Sequence, residues 1–432
     1  MQGWAGKILD INLTDGSINT MPLDMEMARL FLGGRGLGAR LLWDLVGPEV
    51  KPLSPENALI FTTGPITASA SQTSNRFNVS TKSPLTDTIL HANSGGWWGM
   101  QFKRTGYDAL IIRGKAASPV MIEITSDGAE IKDAGHLWGK TVFETTETLS
   151  QNRNKRNVLC IGPAGENLVR MSAIMNDKER ALARGGGGAV MGSKNLRRRL
   201  SSKAVRKNKP ADPDQFKFLS YETGKLLKAS PLTSQALPEF GTAVVMNVVN
   251  EIGALPTRNF QQSQFEGADD ISGEAITDNI LVKKQACWAC PIACTRITKT
   301  TSGKEGEGPE FESSWALVRS LSIDDLDRLP ECSRNDMGLD TISMGNTVGC
   351  AMELAEKGFI DGGWPLVKTM QDSRSDPRYR YRRDMSNELA EGGYRLQRFV
   401  LRLQDCRQAS SWKLPTYDPH AEWGRGLVFC HQ

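Results

Sequence analysis

The pattern of apolar residues changes once along the chain, near residue 200, and this change constrains the fold more than any other feature. Before it, short alternating or β-branched runs are separated by Gly, Pro, Asn and Ser, which is typical of strands in one or two sheets. After it, the pattern becomes helical. A chain of 432 residues also exceeds the length at which a single core stops growing. The sequence therefore predicts an α+β protein, with a β-rich domain at residues 1–207 and a mostly α-helical domain at residues 208–432.

The boundaries of several elements can be predicted from local signals. A helix at 24–32 should end at the Gly33–Gly34 pair. The polar segment 201–214 contains two prolines and is a linker candidate, after which Asp212 should cap a helix whose first residue is Pro213. The predicted strands are 7–13, 58–62, 77–81, 109–113 and 120–125, and the other predicted helices are 242–252, 341–358 and 386–400.

Composition excludes several classes of function. Hydrophobic residues make up 39% and charged residues 24%, as in ordinary globular proteins. The net charge of +4 is too small at this length to indicate a nucleic-acid partner. No apolar run reaches membrane-spanning length, and the N-terminus lacks a basic region followed by an apolar core. We therefore expect a cytoplasmic protein with no membrane insertion.

Three of the eight cysteines lie in one short segment, as Cys287-x2-Cys290-x3-Cys294. This spacing lets thiolates from one loop reach neighbouring irons of a [4Fe-4S] cluster, which normally takes four cysteine ligands. A structural zinc site usually needs a second pair of ligands, and none of the four histidines is near in sequence. The cluster is the favoured interpretation, while a zinc site and a reduced structural loop remain alternatives. No fourth ligand is evident among the remaining cysteines, which are Cys160, Cys332, Cys350, Cys406 and Cys430.

Three short segments combine glycine or a predicted strand with side-chain donors. They are 76–82, 91–96 and 180–194, the last with Arg180 and Arg184 beside four successive glycines. Glycine lets backbone N–H groups approach an anion, and arginine can bind phosphate oxygens in a bidentate manner. These segments suggest a phosphorylated cofactor, although tight turns between strands would also explain each one. The segment 192–194 does not have the residue order of a P-loop. The segment 34–38 does not have the glycine spacing of a dinucleotide-binding motif.

Six segments together are characteristic of one protein family. They are 75–85, 93–96, 180–194, 287–294, 308–312 and 338–343, in family order. Over nearly its whole length the chain resembles the aldehyde:ferredoxin oxidoreductases. The resemblance implies a β domain on which a tungsten or molybdenum bis-pterin lies, and helical domains that enclose it. The metal would be held by dithiolene sulfurs of the pterins, so the protein need supply no ligand to it.

The resemblance also assigns residues to the cofactor. Backbone carbonyls of Asn93 and Ala181 would face a Mg²⁺ ion that bridges the pterin phosphates. Asn335 and Asp340 would be the ends of the family's D-x-x-G-L-D pterin motif. The implied pterin-binding residues are Arg76, Asn93, Gly95, Arg180, Ala181, Ala183, Arg184, Asn335 and Asp340.

Glu312 resembles the acidic residue beside the metal, and Glu310 is the rival assignment. A carboxyl in a water-poor pocket can exchange a proton with substrate. The alternative is a solvated glutamate in an acidic run. The implied reaction is oxidation of an aldehyde to a carboxylic acid, or the reverse. Its electrons would pass through the cluster to a ferredoxin-like carrier or an iron–sulfur subunit. The resemblance also leaves room for a homodimer.

The sequence departs from the family in several places. Ala183 stands where some members have glycine, Asn335 replaces the motif's aspartate, and the arginine-rich segment 197–203 replaces a hydrophobic strand. The family's third domain would carry a second pterin motif, the fourth cluster cysteine and a catalytic histidine, and we do not assign Cys430 or His431 to these roles. The sequence thus predicts a C-terminally truncated oxidoreductase. A frameshifted, non-catalytic remnant and a zinc-stabilised binding protein are the alternatives.

Overall fold

The computed structural model describes residues 2–150, 157–178, 180–200, 210–301, 303–319, 326 and 335–357. The chain forms two compact units. The first unit comprises Met1–Gln235, Gln285–Ala293 and Asn335–Asp340, and the second comprises Ala236–Lys284, Cys294–Arg334 and Thr341–Gln432. The domain boundary at residue 207 stays a prediction. The helix predicted at 386–400 lies outside the described residues.

Two six-stranded mixed sheets form the first unit, which confirms the β-rich N-terminal half. The strand order is β2-β1-β6-β3-β4-β5 in the first sheet and β11-β10-β9-β12-β7-β8 in the second. β1 and β6 are parallel, as are β12 and β7, and the other pairs are antiparallel. The strands are β1 (Lys7–Asn12), β2 (Ser17–Pro22), β3 (Leu59–Thr63), β4 (Phe77–Lys82), β5 (Ile89–Ser94), β6 (Ala109–Arg113), β7 (Val120–Thr125), β8 (Gly128–Asp133), β9 (Val158–Cys160), β10 (Ile174–Asn176), β11 (Arg180–Leu182) and β12 (Leu196–Leu200).

The two sheets share a core, because alternate residues of each strand point to opposite faces. Leu9 and Phe61 of the first sheet belong to the same buried cluster as Ile122 and Leu159 of the second. Neighbouring residues such as Ile60 face the other way, into a separate cluster that packs against helices. Several strands are therefore buried on both faces, and their sequences are apolar almost throughout.

Helices cover the outer faces of the sheets. Asp24 caps the first helix as expected, since its carboxylate accepts hydrogen bonds from the backbone N–H groups of Glu26 and Met27. The predicted stop at Gly33 and Gly34 is only an interruption, because a second helix begins at Gly34. The helices of this unit are α1 (Met25–Phe31), α2 (Gly34–Leu45), α3 (Trp98–Arg104), α4 (Val142–Leu149), α5 (Pro163–Glu166), α6 (Gly187–Ser193) and α7 (Pro213–Ala229), with a 3₁₀ turn at Gly135–Leu137 and a π turn at Leu232–Ala236.

The arginine-rich segment after Asn195 forms β12, a central strand of the second sheet. Arg197 is fully buried and forms an ion pair with Glu166, whose side chain is 4% exposed. The guanidinium also donates to the Lys140 carbonyl (3.0 Å) and to the Thr145 hydroxyl. A charged residue is thus accommodated in a central strand because its charge is paired and both terminal nitrogens of its guanidinium have acceptors.

Lys194 is a second buried cation in the first unit. Its ammonium donates to the carbonyls of Pro55 (3.2 Å), Asn57 (2.5 Å) and Gly114 (3.1 Å), which ties three loops together. Burial lowers the pKa of Lys194 from 10.5 to about 8. The folded chain therefore releases a proton at lower pH than the unfolded chain does.

This pKa predicts how stability depends on pH. Between about pH 8 and 10.5 the unfolded chain binds a proton at Lys194 that the folded chain does not. The contribution of this residue to the free energy of unfolding should therefore rise with pH across that window. Denaturant unfolding of wild type and Lys194→Met at pH 7.5, 8.5 and 9.5 measures it. A difference between the two proteins that is constant with pH would contradict the prediction.

The second unit is mostly helical, as expected, and contains a small sheet in the order β13-β14-β15. The helix predicted at 242–252 begins as a 3₁₀ turn, Gly241–Val244, and the helix predicted at 341–358 is Thr341–Glu356. No helix among the described residues is both long and apolar enough to cross a membrane. The elements are β13 (Leu281–Gln285), β14 (Thr295–Lys299), β15 (Glu305–Glu307), α8 (Leu237–Phe240), α9 (Val245–Glu251), α10 (Gly273–Asn279), α11 (Phe311–Ser313) and α12 (Thr341–Glu356), with a 3₁₀ turn at Asp269–Ile271 and a π turn at Ser314–Arg319.

Candidate cofactor and cluster site

The loop that follows β5 lies at the centre of the candidate site. Its glycine Gly95 is in close contact with three polar side chains. A methyl group added at Gly95 would lie 3.0 Å from Cys287 Sγ, 3.5 Å from Arg180 Nη1 and 3.6 Å from Arg76 Nη1. Four of the predicted site residues therefore lie together within the first unit, and only a glycine fits between them without displacing the thiol.

Arg76 and Asn93 are joined directly. The Arg76 guanidinium donates from Nε to the Asn93 side-chain oxygen and from Nη2 to the Asn93 carbonyl (3.3 Å). Asn93 is placed by the ladder between β4 and β5, where it pairs with Asn78, and its amide donates to the Phe77 carbonyl (3.0 Å). Both side chains are exposed. The guanidinium is thus held at the open surface of the first sheet, where it can meet an anion.

The cysteine loop touches the same glycine segment. The backbone N–H of Gly96 donates to Cys287 Sγ (3.2 Å), and the N–H of Trp288 reaches the Gly96 carbonyl (3.5 Å). A turn in which the Cys290 N–H donates to the Cys287 carbonyl (3.2 Å) separates the first two cysteines. Cys294 comes just before β14 and belongs to the second unit.

All three thiols of the cysteine motif are partly exposed, and none of them forms a disulfide among the described residues. Among the described residues, no three His, Cys, Asp or Glu side chains converge closely enough to bind a single metal ion. A cubane binds each thiolate at a different iron, so its ligands need not converge on one point.

An aromatic wall lies beside Cys287. The Trp288 ring packs edge-to-face on Trp97, with centroids 5.5 Å apart. The Arg104 guanidinium lies over the Trp288 ring, 4.8 Å from its centroid. The arrangement places an apolar surface and a cation next to the first cysteine of the motif, and both features affect the potential of a cluster.

Asp340 and Arg184 are brought together from distant parts of the sequence. Asp340 is 1% exposed, and its carboxylate lies 3.4 Å from Arg184 Nε. Asn335 closes the loop that precedes Asp340, because its side-chain oxygen accepts from the Leu339 N–H (2.6 Å) and its amide donates to the Leu339 carbonyl. The loop is held on the first unit by the Ala173 N–H, which donates to the Gly338 carbonyl (2.8 Å). An asparagine at position 335 can therefore hold the motif's turn without a carboxylate.

The four glycines after Arg184 are explained mainly by packing. Gly186 has a φ of +82°, and a methyl group there would lie 2.1 Å from the Arg170 carbonyl oxygen. At Gly188 a methyl group would lie 2.5 Å from the Ala173 carbonyl oxygen. Close packing thus explains both glycines, and Gly186 also provides the left-handed residue that precedes α6.

Both candidate acids lie in the second unit and differ in their surroundings. Glu312 is exposed, and its carboxylate accepts a hydrogen bond from Trp315 Nε1 (2.8 Å). Glu310 is half-buried and accepts from the Thr242 hydroxyl. Each carboxylate therefore has a hydrogen-bond partner, and Glu312 is the more exposed of the two, as the solvated alternative expects.

Sequence reasoning missed four residues that shape this site. Asn75 and Asn176 donate to the carbonyls of the glycine loop, and Trp97 and Arg104 complete the wall around Trp288. Asn75 begins one of the characteristic segments, so a signal existed for it. Nothing local in the sequence distinguishes Asn176, because its partners are 81 and 82 positions away.

The chain matches two family models. The model of the aldehyde ferredoxin oxidoreductase N-terminal domain covers residues 8–198, and the model of domains 2 and 3 of the same enzymes covers residues 219–432. The tungsten-containing aldehyde ferredoxin oxidoreductase of Thermococcus kodakarensis is 41% identical over 442 aligned residues, which include 99% of this chain and 73% of that protein. The enzyme of the same name from Pyrococcus abyssi is 42% identical with the same coverage.

A solved structure shares the fold. It is the active-site complex of benzoyl coenzyme A reductase with 1,5-dienoyl-CoA, with a TM-score of 0.76 and 29% identity. The match covers 92% of this chain and 63% of that one. The fold and the matches define an oxidoreductase. The chain belongs to the aldehyde ferredoxin oxidoreductase family.

Proposed function

We propose that this protein oxidises an aldehyde to a carboxylic acid, or catalyses the reverse reaction, at a tungsten or molybdenum bis-pterin. Electrons leave through a [4Fe-4S] cluster to a ferredoxin-like carrier. The observation that carries the proposal is that Cys287, Arg76 and Arg180 all lie around the position that a Cβ atom would take at Gly95. Two guanidiniums, which suit phosphate, therefore lie beside a thiol, which suits an iron–sulfur cluster. A cofactor that exchanges electrons with a cluster must bind close to it.

The residues of the first unit fit a phosphorylated pterin. Arg76 lies on the open face of β4 and β5, while Arg180 and Arg184 flank β11. Arg184 is oriented by Asp340, which is buried and fixed by its own backbone N–H on the Met171 carbonyl (2.9 Å). Such orientation favours a bidentate contact with phosphate. When bound, the pterin-held metal supplies the two-electron redox chemistry.

The proposed Mg²⁺ ion would be held by two backbone carbonyls. Asn93 and Ala181 lie on β5 and β11, whose carbonyls were assigned to the ion. The Asn93 carbonyl receives the Arg76 guanidinium at 3.3 Å, and a guanidinium competes with a cation for the same oxygen. Binding of Mg²⁺ at Asn93 therefore requires Arg76 to turn towards a phosphate.

The cluster would be bound by Cys287, Cys290 and Cys294, with Trp288 and Trp97 limiting water on one side. Both family models describe aldehyde ferredoxin oxidoreductases, and the relative from Thermococcus kodakarensis is an enzyme of that name. These matches favour an iron–sulfur oxidoreductase over a zinc-stabilised binding protein. We also propose that the protein is cytoplasmic. Its partner would be an iron–sulfur subunit or a second copy of the same chain.

We propose Glu312 as the residue that exchanges a proton with substrate, with Glu310 as the rival. Replacing Glu312 by glutamine keeps its shape and its acceptor for Trp315 but removes the ionisable group. Loss of a general acid or base lowers kcat by about 10²–10⁴-fold. We expect this loss for Glu312→Gln and a smaller one for Glu310→Gln, measured as aldehyde-dependent reduction of a viologen dye. The opposite ranking would assign the role to Glu310.

Metal analysis tests the proposed function as a whole. Protein purified without oxygen, from cells supplied with tungstate and molybdate, should contain iron with tungsten or molybdenum and release a pterin on denaturation. It should reduce ferredoxin when an aldehyde is added. Zinc alone would indicate the binding-protein alternative, and the absence of all these metals would indicate a non-catalytic remnant.

A further inference from the structure

Two buried asparagines hold the carbonyls of two successive glycines beside the cysteine loop. The Asn176 amide donates to the Gly95 carbonyl (2.9 Å) and to the Ser94 hydroxyl (3.1 Å). The Asn75 amide donates to the Gly96 carbonyl (2.7 Å). Asn176 is 0% and Asn75 2% exposed, so water cannot replace either donor.

These donors come from different sheets of the first unit. Asn75 lies just before β4 in the first sheet, and Asn176 ends β10 in the second. The glycine segment is therefore fixed from both sides by the shared core, and its position does not depend on the loop's own stiffness. Gly96 has a φ of +82°, a conformation that suits glycine and needs such support.

The Asn176 hydrogen bond determines where the Gly96 N–H points. The Gly95 carbonyl and the Gly96 N–H belong to one planar trans peptide, so the two groups point in opposite directions. Fixing the carbonyl on Asn176 directs the N–H towards Cys287 Sγ, to which it donates at 3.2 Å. Asn75 fixes the next peptide in the same way, through the Gly96 carbonyl.

We propose that Asn176 and Asn75 are positioning residues that raise the reduction potential of the cluster through the Gly96 N–H···Sγ hydrogen bond. The inference rests on the proposed function, because it takes Cys287 as a cluster ligand. Reduction adds one electron to the cluster, and a donor on a ligand sulfur stabilises the added negative charge. Electrons arriving from the pterin side are then accepted more readily.

A purely structural role explains these asparagines less well. The side-chain oxygens of Asn75 and Asn176 are buried and have no hydrogen-bond partner among the described residues. A buried acceptor without a partner is destabilising, and a leucine of similar size would avoid that cost. The contribution of each side chain therefore lies in its N–H donors, which act on the glycine peptides.

The test is a reduction-potential measurement on Asn176→Leu and Asn75→Leu. The matched control is Asn57→Leu, because Asn57 is equally buried and donates to two carbonyls, Pro52 and Lys82, which lie outside the glycine segment. Wild type and variants are purified without oxygen, their iron is quantified, and the cluster is titrated with dithionite while its EPR signal is followed. We expect the equilibrium constant for reduction of the cluster to fall about tenfold in each test variant. For one electron this corresponds to a reduction potential that is about 59 mV lower. The control should keep the wild-type potential.

Each result has a distinct meaning. Iron-loaded test variants with unchanged potentials would overturn the inference and leave the proposed function intact, and so would an equal shift in Asn57→Leu. Wild-type protein without iron would contradict the proposed function and the inference with it. If the leucine variants do not fold, pulsed ENDOR on reduced wild type exchanged into D₂O decides the question. A coupled, exchangeable amide deuteron at hydrogen-bond distance supports the inference, and its absence overturns it.

Discussion

Replacing Cys287 by alanine should remove the iron–sulfur cluster and reduce aldehyde-dependent electron transfer to background. The first unit holds Cys287 through the Gly96 N–H on its sulfur, and the same sulfur lies close to Gly95. A cubane is normally held by four thiolates, one on each iron, so removing Cys287 leaves one iron without its protein ligand. We expect iron to fall far below the wild-type content per chain, measured by plasma emission spectrometry after anaerobic purification.

Cys160→Ala is the matched control for this experiment. Cys160 is fully buried at the end of β9, and burial raises the pKa of its thiol to about 12. A protonated thiol in an apolar core cannot bind iron. The Cys160 variant should therefore keep its iron and its activity. Wild-type iron content in Cys287→Ala would show that the cysteine motif does not bind the cluster.

Replacing Arg197 by leucine should destabilise the first unit by about 3–5 kcal/mol, the effect of leaving a buried charge without its partner. Glu166 is 4% exposed, and without Arg197 its carboxylate would keep the Gly139 N–H (2.8 Å) as a hydrogen-bond donor but would lose its cation. Arg197 lies in a central strand of the second sheet, and its replacement leaves the Glu166 carboxylate buried without its cation. Denaturant unfolding without oxygen measures the loss.

The double variant Arg197→Leu/Glu166→Met separates the charge effect from packing. It removes both charges, so the uncompensated carboxylate disappears, and we expect it to be more stable than Arg197→Leu alone. The ion pair would not be the reason for the instability if the two substitutions were additive. The double variant would then be less stable than Arg197→Leu, and its loss would equal the sum of the losses of the two single variants. Arg197 would then act mainly through the Lys140 carbonyl and the Thr145 hydroxyl.

Much of the architecture was predictable because it depends on neighbours in sequence. The strands at 109–113 and 120–125, the cap at Asp24, and the helix that begins at Pro213 after Asp212 appear as the local patterns indicate. The continuation of the chain into α2 was missed, since a glycine pair usually ends a helix. Here Gly33, with a φ of +159°, interrupts the helical path for one residue before α2 begins.

The partners of the site residues were less predictable. The Cys287 motif, Arg76, Arg180 and Gly95 could be named from their segments, and the structure brings them to one place. The hydrogen bonds of Asn176 and Asn75, the pairing of Arg197 with Glu166, and the contact of Arg184 with Asp340 could not. Each of these joins residues that no periodicity relates.

The sequence by itself determined the order of strands and helices, the family, and the chemical types in the site, because apolar spacing, caps and thiol spacing act over a few residues. Only the tertiary structure decided that Gln285–Ala293 and Asn335–Asp340 belong to the N-terminal unit. The same holds for the peptide between Gly95 and Gly96, which two buried amides orient towards a cysteine about 190 residues away. Such contacts depend on how the whole core packs, and close packing is a property of the folded chain that no local segment contains.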